Sequence, residues 1–286
     1  MGPTANDMTI QQALREAAAQ LAAAQIPDPA QDALLMLSHI LHREPFSVRL
    51  DGMKELSPED SARYRALLLH RAKRKPLQYL LGEQWFYGLP YFVDERVLIP
   101  RQETESLCEL GIGFLSALPS PRVLDLCTGS GAIAVTLKHN CPHAQVWAAD
   151  LSPDALAVAH RNARRHGAGV TFYQGDLFAP LAGMTFDLIL SNPPYIETAD
   201  CAALQEEVRR EPLMALDGGT DGLDFYRRIA HEAHLHLTPG GMLAMEIGCT
   251  QAEAVSALLA ETNAYRDIAV VRDLYGMERI VKAYKE

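Results

Sequence analysis

The chain is expected to fold as an α/β protein. It should carry a mostly parallel, doubly wound sheet with an antiparallel last strand, preceded by a small helical bundle. Three observations predict this. From Arg122 onward, seven short apolar runs alternate with helix-like segments, the pattern of a parallel sheet covered by helices on both faces. The last two runs, Ile268–Arg272 and Arg279–Ala283, leave no room for a helix between them, so they should pair antiparallel. Ahead of Trp85 the apolar residues instead recur every three or four positions behind Ser, Thr and Asp, as in packed, capped helices.

The N-terminal elements follow in order. Thr9-Ile10-Gln11-Gln12 is a capping box, after which Ile10, Leu14, Ala17 and Leu21 line one helix face. Asp28-Pro29-Ala30-Gln31 starts a second helix through about Leu41, with proline at the first helical position. Ser57-Pro58-Glu59-Asp60 repeats the device for a third helix to about Arg74. The titratable residues of 1–75 are scattered, so this domain is expected to recognise a substrate rather than do chemistry. Its one basic cluster, Arg71, Lys73, Arg74 and Lys75, falls at a helix end, where cations favour the dipole. Residues 76–100 change period. Gln84–Tyr87, a Gly88-Leu89-Pro90 turn and Tyr91–Val93 read as an aromatic hairpin linking the domains.

Residues 101–286 form the second domain. Arg101, Glu103 and Glu105 open a helix to about Leu118, and strands follow at Val123–Leu126, Gln145–Ala149, Val170–Gln174, Phe186–Ser191 and Met242–Ile247. Asp125, Asp150, Asp176 and Asn192 all stand at strand ends, where an open α/β sheet binds its ligands. Cys127-Thr128-Gly129-Ser130-Gly131 joins the first strand to a helix. Glycines there let a ligand approach the backbone and the helix N-terminus. Asp150 follows Gly131 by nineteen residues and suits the two hydroxyls of a ribose. The run Gly129 to Ala134 also fits the dinucleotide pattern G-x-G-x-x-A, so a nicotinamide dehydrogenase is a rival. Asp125 opposes it, because a carboxylate repels a pyrophosphate but welcomes the ammonium of a methionine moiety.

Ser191-Asn192-Pro193-Pro194-Tyr195 ends its strand with two prolines that cannot continue a ladder. A planar NH₂ beside Tyr195 could donate one hydrogen to the Asn192 side-chain oxygen and the other to the Pro193 carbonyl. Such a loop suits group transfer onto nitrogen.

Asp125 to Ala134 with Asn192 to Tyr195 resemble a Rossmann-like, class I S-adenosylmethionine-dependent methyltransferase. Asn-Pro-Pro-Tyr is shared there by adenine-N6 DNA methyltransferases and protein glutamine methyltransferases. Arg96 to Glu105 (Arg-Val-Leu-Ile-Pro-Arg-Gln-Glu-Thr-Glu) is similar to a segment of the HemK/PrmC family, the peptide chain release factor glutamine methyltransferases. The resemblance extends to Asp273–Arg279. Gln102 and Cys127 depart from it, standing where the family usually has proline and glycine. Cys127 is also common in the sister family acting on a ribosomal protein glutamine.

The resemblance implies S-adenosylmethionine as cofactor, held by Asp125, Cys127, Thr128, Gly129, Ser130, Gly131, Asp150, Asp176, Leu177 and Asn192. It gives Asn192, Pro193 and Tyr195 the catalytic role, with Pro194, Arg101 and Glu103 also meeting the substrate. It implies methylation of the glutamine in the Gly-Gly-Gln loop of class I translation release factors. A nucleotide-binding adaptor without chemistry is the non-enzyme alternative.

Composition narrows the classes further. Apolar residues make up 48% and charged ones 22%, ordinary for a globular protein. No apolar run approaches the ~18 residues of a membrane span, and Met1 to Asn6 lacks a signal-peptide pattern. Five scattered cysteines suit a reducing cytoplasm. The net charge is −10, all of it beyond residue 85, so no basic face for nucleic acid is expected. His231, His234 and His236 lack the H-E-x-x-H spacing, and no metal is expected. Glu211-Pro212 and Gly218 to Gly222 read as a mobile loop over the substrate. A monomer is expected.

Overall fold

The computed structural model describes residues 8–273 and 275–286; Met1 to Asn6 and Leu274 of the motifs above lie outside them. The chain divides into two compact units. One runs to Gly82 and takes in Glu206–Arg210, and the other comprises Glu83–Gln205 and Glu211–Glu286.

The first unit is helical: α1 Ile10–Ala23, α2 Pro29–Leu41, α3 Pro45–Leu50, α4 Pro58–Ala72 and α5 Leu77–Leu81. Thr9 and Gln12 make the reciprocal capping box, and Ser57 caps α4 by accepting from the Asp60 N–H. Asp28 precedes α2 without a side-chain cap, so Pro29 alone marks that start. The buried face of α1 is Ile10, Ala13, Ala17 and Leu21, with Leu14 at its edge.

The basic cluster is not a free cationic face. Arg71 is buried, donating from Nε to Asp32 Oδ2 at 2.6 Å and from Nη1 to Glu207 Oε1 at 3.0 Å. Arg74 donates to Glu207 Oε2 at 2.8 Å and to the Gln25 carbonyl. The two arginines therefore hold the 206–210 segment within the helical unit.

The second unit opens with a hairpin, β1 Gln84–Phe86 and β2 Leu89–Tyr91. The pairing Phe86↔Leu89 puts the turn at Tyr87-Gly88, ahead of the Gly88-Leu89-Pro90 turn expected. Phe86 and Tyr91 are buried in a core shared with Leu107 and Cys108, so the hairpin is part of this unit's core rather than a link.

The main sheet contains β3 Arg122–Leu126, β4 Gln145–Asp150, β5 Val170–Gln174, β6 Phe186–Ser191, β7 Leu237–Glu246, β8 Tyr265–Arg272 and β9 Glu278–Lys285. Their order is β5-β4-β3-β6-β7-β9-β8, with only the β9 pairings antiparallel. β7 begins five residues before the expected Met242, because Leu237 already pairs with Phe186 across a bulge.

Helices α6 Glu105–Leu115, α7 Ala132–Asn140 and α8 Pro153–Arg165 cover one face. The short α9 Thr198–Cys201 follows β6, and α10 Asp224–Glu232 and α11 Ala252–Glu261 cover the other face. Strand order reverses between β3 and β6, which opens a crevice at their C-terminal ends. No helix among the described residues is long and apolar enough to cross a membrane.

Candidate active site

A cleft opens at that reversal point. Cys127, Thr128, Gly129 and Ser130 line it from the β3–α7 turn, Asp150 from β4, Asp176 and Leu177 from beyond β5, and Asn192 and Pro194 from beyond β6. Arg101 and Thr104 close it from the segment before α6. Ten of the expected residues thus meet in one place. Asp125, Gly131, Pro193, Tyr195 and Glu103 do not line it, and each has a different position.

Asp125 is fully buried. Its Oδ2 accepts from Thr128 Oγ1 at 2.6 Å and from the Ala134 N–H at 3.0 Å, while Oδ1 has no partner. It ties the turn to the first turn of α7, so direct contact with a ligand ammonium gives way to a loop-anchoring role. Burial pushes its carboxyl up to about 7 against the relief those two donors give. Gly131 is left-handed, with φ 80°, and a Cβ there would stand 3.0 Å from Ala159 Cβ. It lets α7 and α8 approach rather than touching a ligand. Asn162 supports the same turn, donating to the Ser130 and Phe92 carbonyls.

Asp150 is engaged once through each oxygen: Oδ2 accepts from the Gly129 N–H at 2.8 Å and Oδ1 from the Ser152 N–H at 2.9 Å. Each oxygen keeps a lone pair for a ligand hydroxyl. Burial raises its pKa above the ordinary value. No atom lies within 4 Å of where a Cβ on Gly129 would stand, so the backbone there is open to a bound molecule. Leu177 is buried as an apolar wall, and Asp176 is exposed and paired with Arg228.

The Cys127 departure has a local consequence. Its φ is 63°, in the region glycine adopts freely, where an L side chain costs about 1–2 kcal/mol. Burial raises its thiol pKa, so it stays protonated. Gln102, the other departure, is exposed at the first position of a 3₁₀ turn.

In the loop after β6, Pro193 and Pro194 are buried and Asn192 is half-buried. Asn192 Nδ2 donates to Thr104 Oγ1 at 3.2 Å. Tyr195 packs behind the loop against the apolar core, and burial raises its hydroxyl to about 12. Its carbonyl accepts from Gln251 Nε2 at 2.9 Å, and the same amide bonds the Gly222 carbonyl. A Cβ on Gly218 would fall 2.7 Å from Tyr195 Cα. The segment expected to be a mobile cover is therefore packed under Tyr195.

Glu211 is likewise fixed. Its side chain is 2% exposed, accepting from the Ile99 N–H at 3.0 Å and pairing with Arg101. Burial raises its pKa while Arg101 opposes the rise. Glu103 faces a separate hollow with Glu105, Glu109 and Asp273.

Sequence reasoning gave Thr104, Gln251 and Glu246 no role and read Glu211 as part of a mobile loop, where the structure fixes it. Glu246 ends β7, is 1% exposed, and lies beside the Thr104 hydroxyl and the Asn192 amide. A charge inside the apolar run Met242–Ile247 was the one signal available. Of the three histidines, His236 stacks on Phe178 and its Nδ1 meets the Met184 carbonyl, while His234 Nδ1 is buried without a partner.

Comparison with known proteins adds the lineage. Residues 12–82 match the PrmC N-terminal domain and residues 109–211 the methyltransferase small domain. A release factor glutamine methyltransferase of Moorella thermoacetica is 45% identical over 97% of this chain and 99% of its own length. One from Geobacter sulfurreducens is 49% identical over 86% of each chain. Among solved structures, a methyltransferase from Pyrococcus furiosus shares the fold with TM-score 0.51 at 19% identity, covering 78% of this chain and 98% of that one. The human Mettl16 catalytic domain, solved with an RNA hairpin, does so with TM-score 0.55 at 14% identity, covering 79% of this chain and 82% of that one. On the strength of the two near-full-length relatives, the chain belongs to the release factor glutamine methyltransferase family.

Proposed function

We propose that this protein transfers a methyl group from S-adenosylmethionine to the side-chain amide nitrogen of the glutamine in the Gly-Gly-Gln loop of class I translation release factors. The carrying observation is the meeting of Asn192 with the Gly129 turn and Asp150 in one cleft. The residues suit the cofactor. The open backbone at Gly129 admits a close ligand, Asp150 has spare acceptor sites for ribose hydroxyls, and Leu177 and Val97 offer apolar walls to a base. When bound, S-adenosylmethionine supplies an activated methyl group.

The chain's own residues must then deal with a poor nucleophile. An amide nitrogen shares its lone pair with its carbonyl and scarcely reacts in water. Asn192 Oδ1 at the cleft wall accepts one N–H hydrogen, and the carbonyl of Pro193, which follows it just outside the cleft lining, accepts the other. This orients the nitrogen and stabilises positive charge growing on it. Tyr195 backs this loop, with Gln251 and the 218–222 segment fixing its backbone. Arg101, held by Glu211, stands at the cleft wall for the approaching protein. The helical unit serves substrate recognition, and the enzyme works as a cytoplasmic monomer.

The test is peptide mapping by mass spectrometry after incubation with isotopically labelled S-adenosylmethionine. The substrates are a class I release factor and, in parallel, ribosomal proteins. Label on the Gly-Gly-Gln glutamine is expected. Label confined to a ribosomal protein, or no label on any protein, would overturn this reading.

A further inference from the structure

Glu246 is a buried carboxyl that the mechanism above does not use. It ends β7, and because Ser191 pairs with Met245, it lies beside Asn192, the next residue of the neighbouring chain segment. Alternation along β7 puts Met245 in one core cluster and Ala244 in the other. Glu246 therefore shares the Ala244 side, where Thr104 introduces α6. Thr104 is 5% exposed and Glu246 1% exposed, and Glu246 Oε2 has no hydrogen-bond partner. Tyr226 fixes the backbone at this point by donating to the Glu246 carbonyl at 2.8 Å. A buried acid with an unpaired oxygen costs stability, which calls for a functional account.

That account comes from the symmetry of an asparagine side chain. Turned over, Asn192 would present NH₂ to the substrate NH₂, and two donors would face each other. Thr104 alone does not prevent this, since a hydroxyl can accept from Nδ2 or donate to Oδ1. Ionised, as burial leaves it only above about pH 7, Glu246 only accepts. Ionised Glu246, beside the Thr104 hydroxyl, would take its hydrogen and leave the Thr104 lone pair for Asn192 Nδ2, the contact seen at 3.2 Å. Asn192 Oδ1 is then the atom presented to the substrate.

Resting on the amide-holding role of Asn192 given above, we infer that Glu246 is a positioning residue: through Thr104 it sets the direction of a hydrogen-bond chain that keeps the Asn192 oxygen turned toward the substrate nitrogen. It touches neither substrate nor cofactor.

The test is a double-mutant cycle at pH 8.5, where Glu246 is ionised, on the full-length enzyme with a class I release factor as substrate, using Glu246→Gln, Asn192→Ala and the double variant. Glutamine keeps the shape but can donate as well as accept, so the chain loses its direction. Glu246→Gln is expected to lower kcat roughly 10- to 100-fold, the scale of a misoriented reacting pair. KM and S-adenosylmethionine affinity should stay near wild type. In the Asn192→Ala background the same change should have no further effect, because no oxygen remains to be oriented. Thr104→Val, which breaks the chain without touching Glu246, should repeat the kcat loss. A wild-type kcat in Glu246→Gln, or a loss that multiplies in full onto that of Asn192→Ala, would overturn the positioning role. Full activity in Asn192→Ala itself would instead overturn the underlying reading of Asn192.

Discussion

Replacing Glu246 by glutamine should change how stability depends on pH, by an amount the burial of the group sets. Burial pushes its carboxyl up to about 7, from an ordinary 4.5, more than Thr104, Arg279 and Asn192 relieve it. The folded chain therefore holds this proton more tightly than the unfolded chain. Glu246 costs nothing by ionisation below pH 4.5, and its cost grows as pH rises toward 7 and is complete above that. The difference between the two values corresponds to about 3 kcal/mol. Glutamine has no proton to lose, so the variant should lack this decline. Between pH 4.5 and 8 it should gain about 3 kcal/mol on wild type, or roughly 6–12 °C in Tm for a unit of this size. Asp125, Asp150 and Glu211 are also raised, but they are present in both proteins and cancel in the comparison. Thermal unfolding followed by circular dichroism at pH 5, 6, 7 and 8 measures it. Parallel curves for the two proteins would refute the burial argument.

Other substitutions give separate checks. Asp150→Ala should weaken S-adenosylmethionine binding by ~1.5–3 kcal/mol, the range for a hydrogen bond to a charged group; unchanged affinity by calorimetry would remove Asp150 from the site. Glu211→Ala leaves the Ile99 N–H buried and unpaired, which should cost about 1–3 kcal/mol in urea unfolding. Glu211→Gln keeps an acceptor and should recover part of that loss, so equal midpoints for both variants and wild type would contradict the bracing role. Asn192→Asp removes the donor to Thr104 and sets a second acid beside Glu246, so cofactor should still bind while methyl transfer fails. Retained activity would mean that Asn192 is only a turn cap.

Much of the fold could be read from the chain because its signals are local. Thr9 with Gln12 and Ser57 with Asp60 cap their helices as expected, and β5 and β6 fall on the apolar runs that predict them. The short α3 and α5 were not expected, since six and five residues carry too little periodicity to register. The hairpin turn moved to Tyr87-Gly88 because proline at 90 fits an edge strand as well as a turn.

The site divides along the same line. Cys127 to Ser130, Asp150 and Asn192 sit at strand ends, where chain order alone brings them together. Thr104, Glu211 and Gln251 act through partners 88, 112 and 56 residues away, and nothing local marks them. Glu211 beside Pro212 reads as a loose loop until its carboxylate is seen under the Ile99 N–H. Arg71 and Arg74 read as a surface cluster until Asp32 and Glu207 are found against them.

The central claim is that Asn192 and the Pro193 carbonyl hold the target amide. Steady-state methylation of a class I release factor by Asn192→Ala, with S-adenosylmethionine affinity measured on the same preparation, tests it most directly. The variant should lose roughly 10²–10³ in kcat, as for one preorganised hydrogen bond in a transition state, while cofactor affinity changes far less. A folded variant that methylates the release factor at the wild-type rate would contradict it.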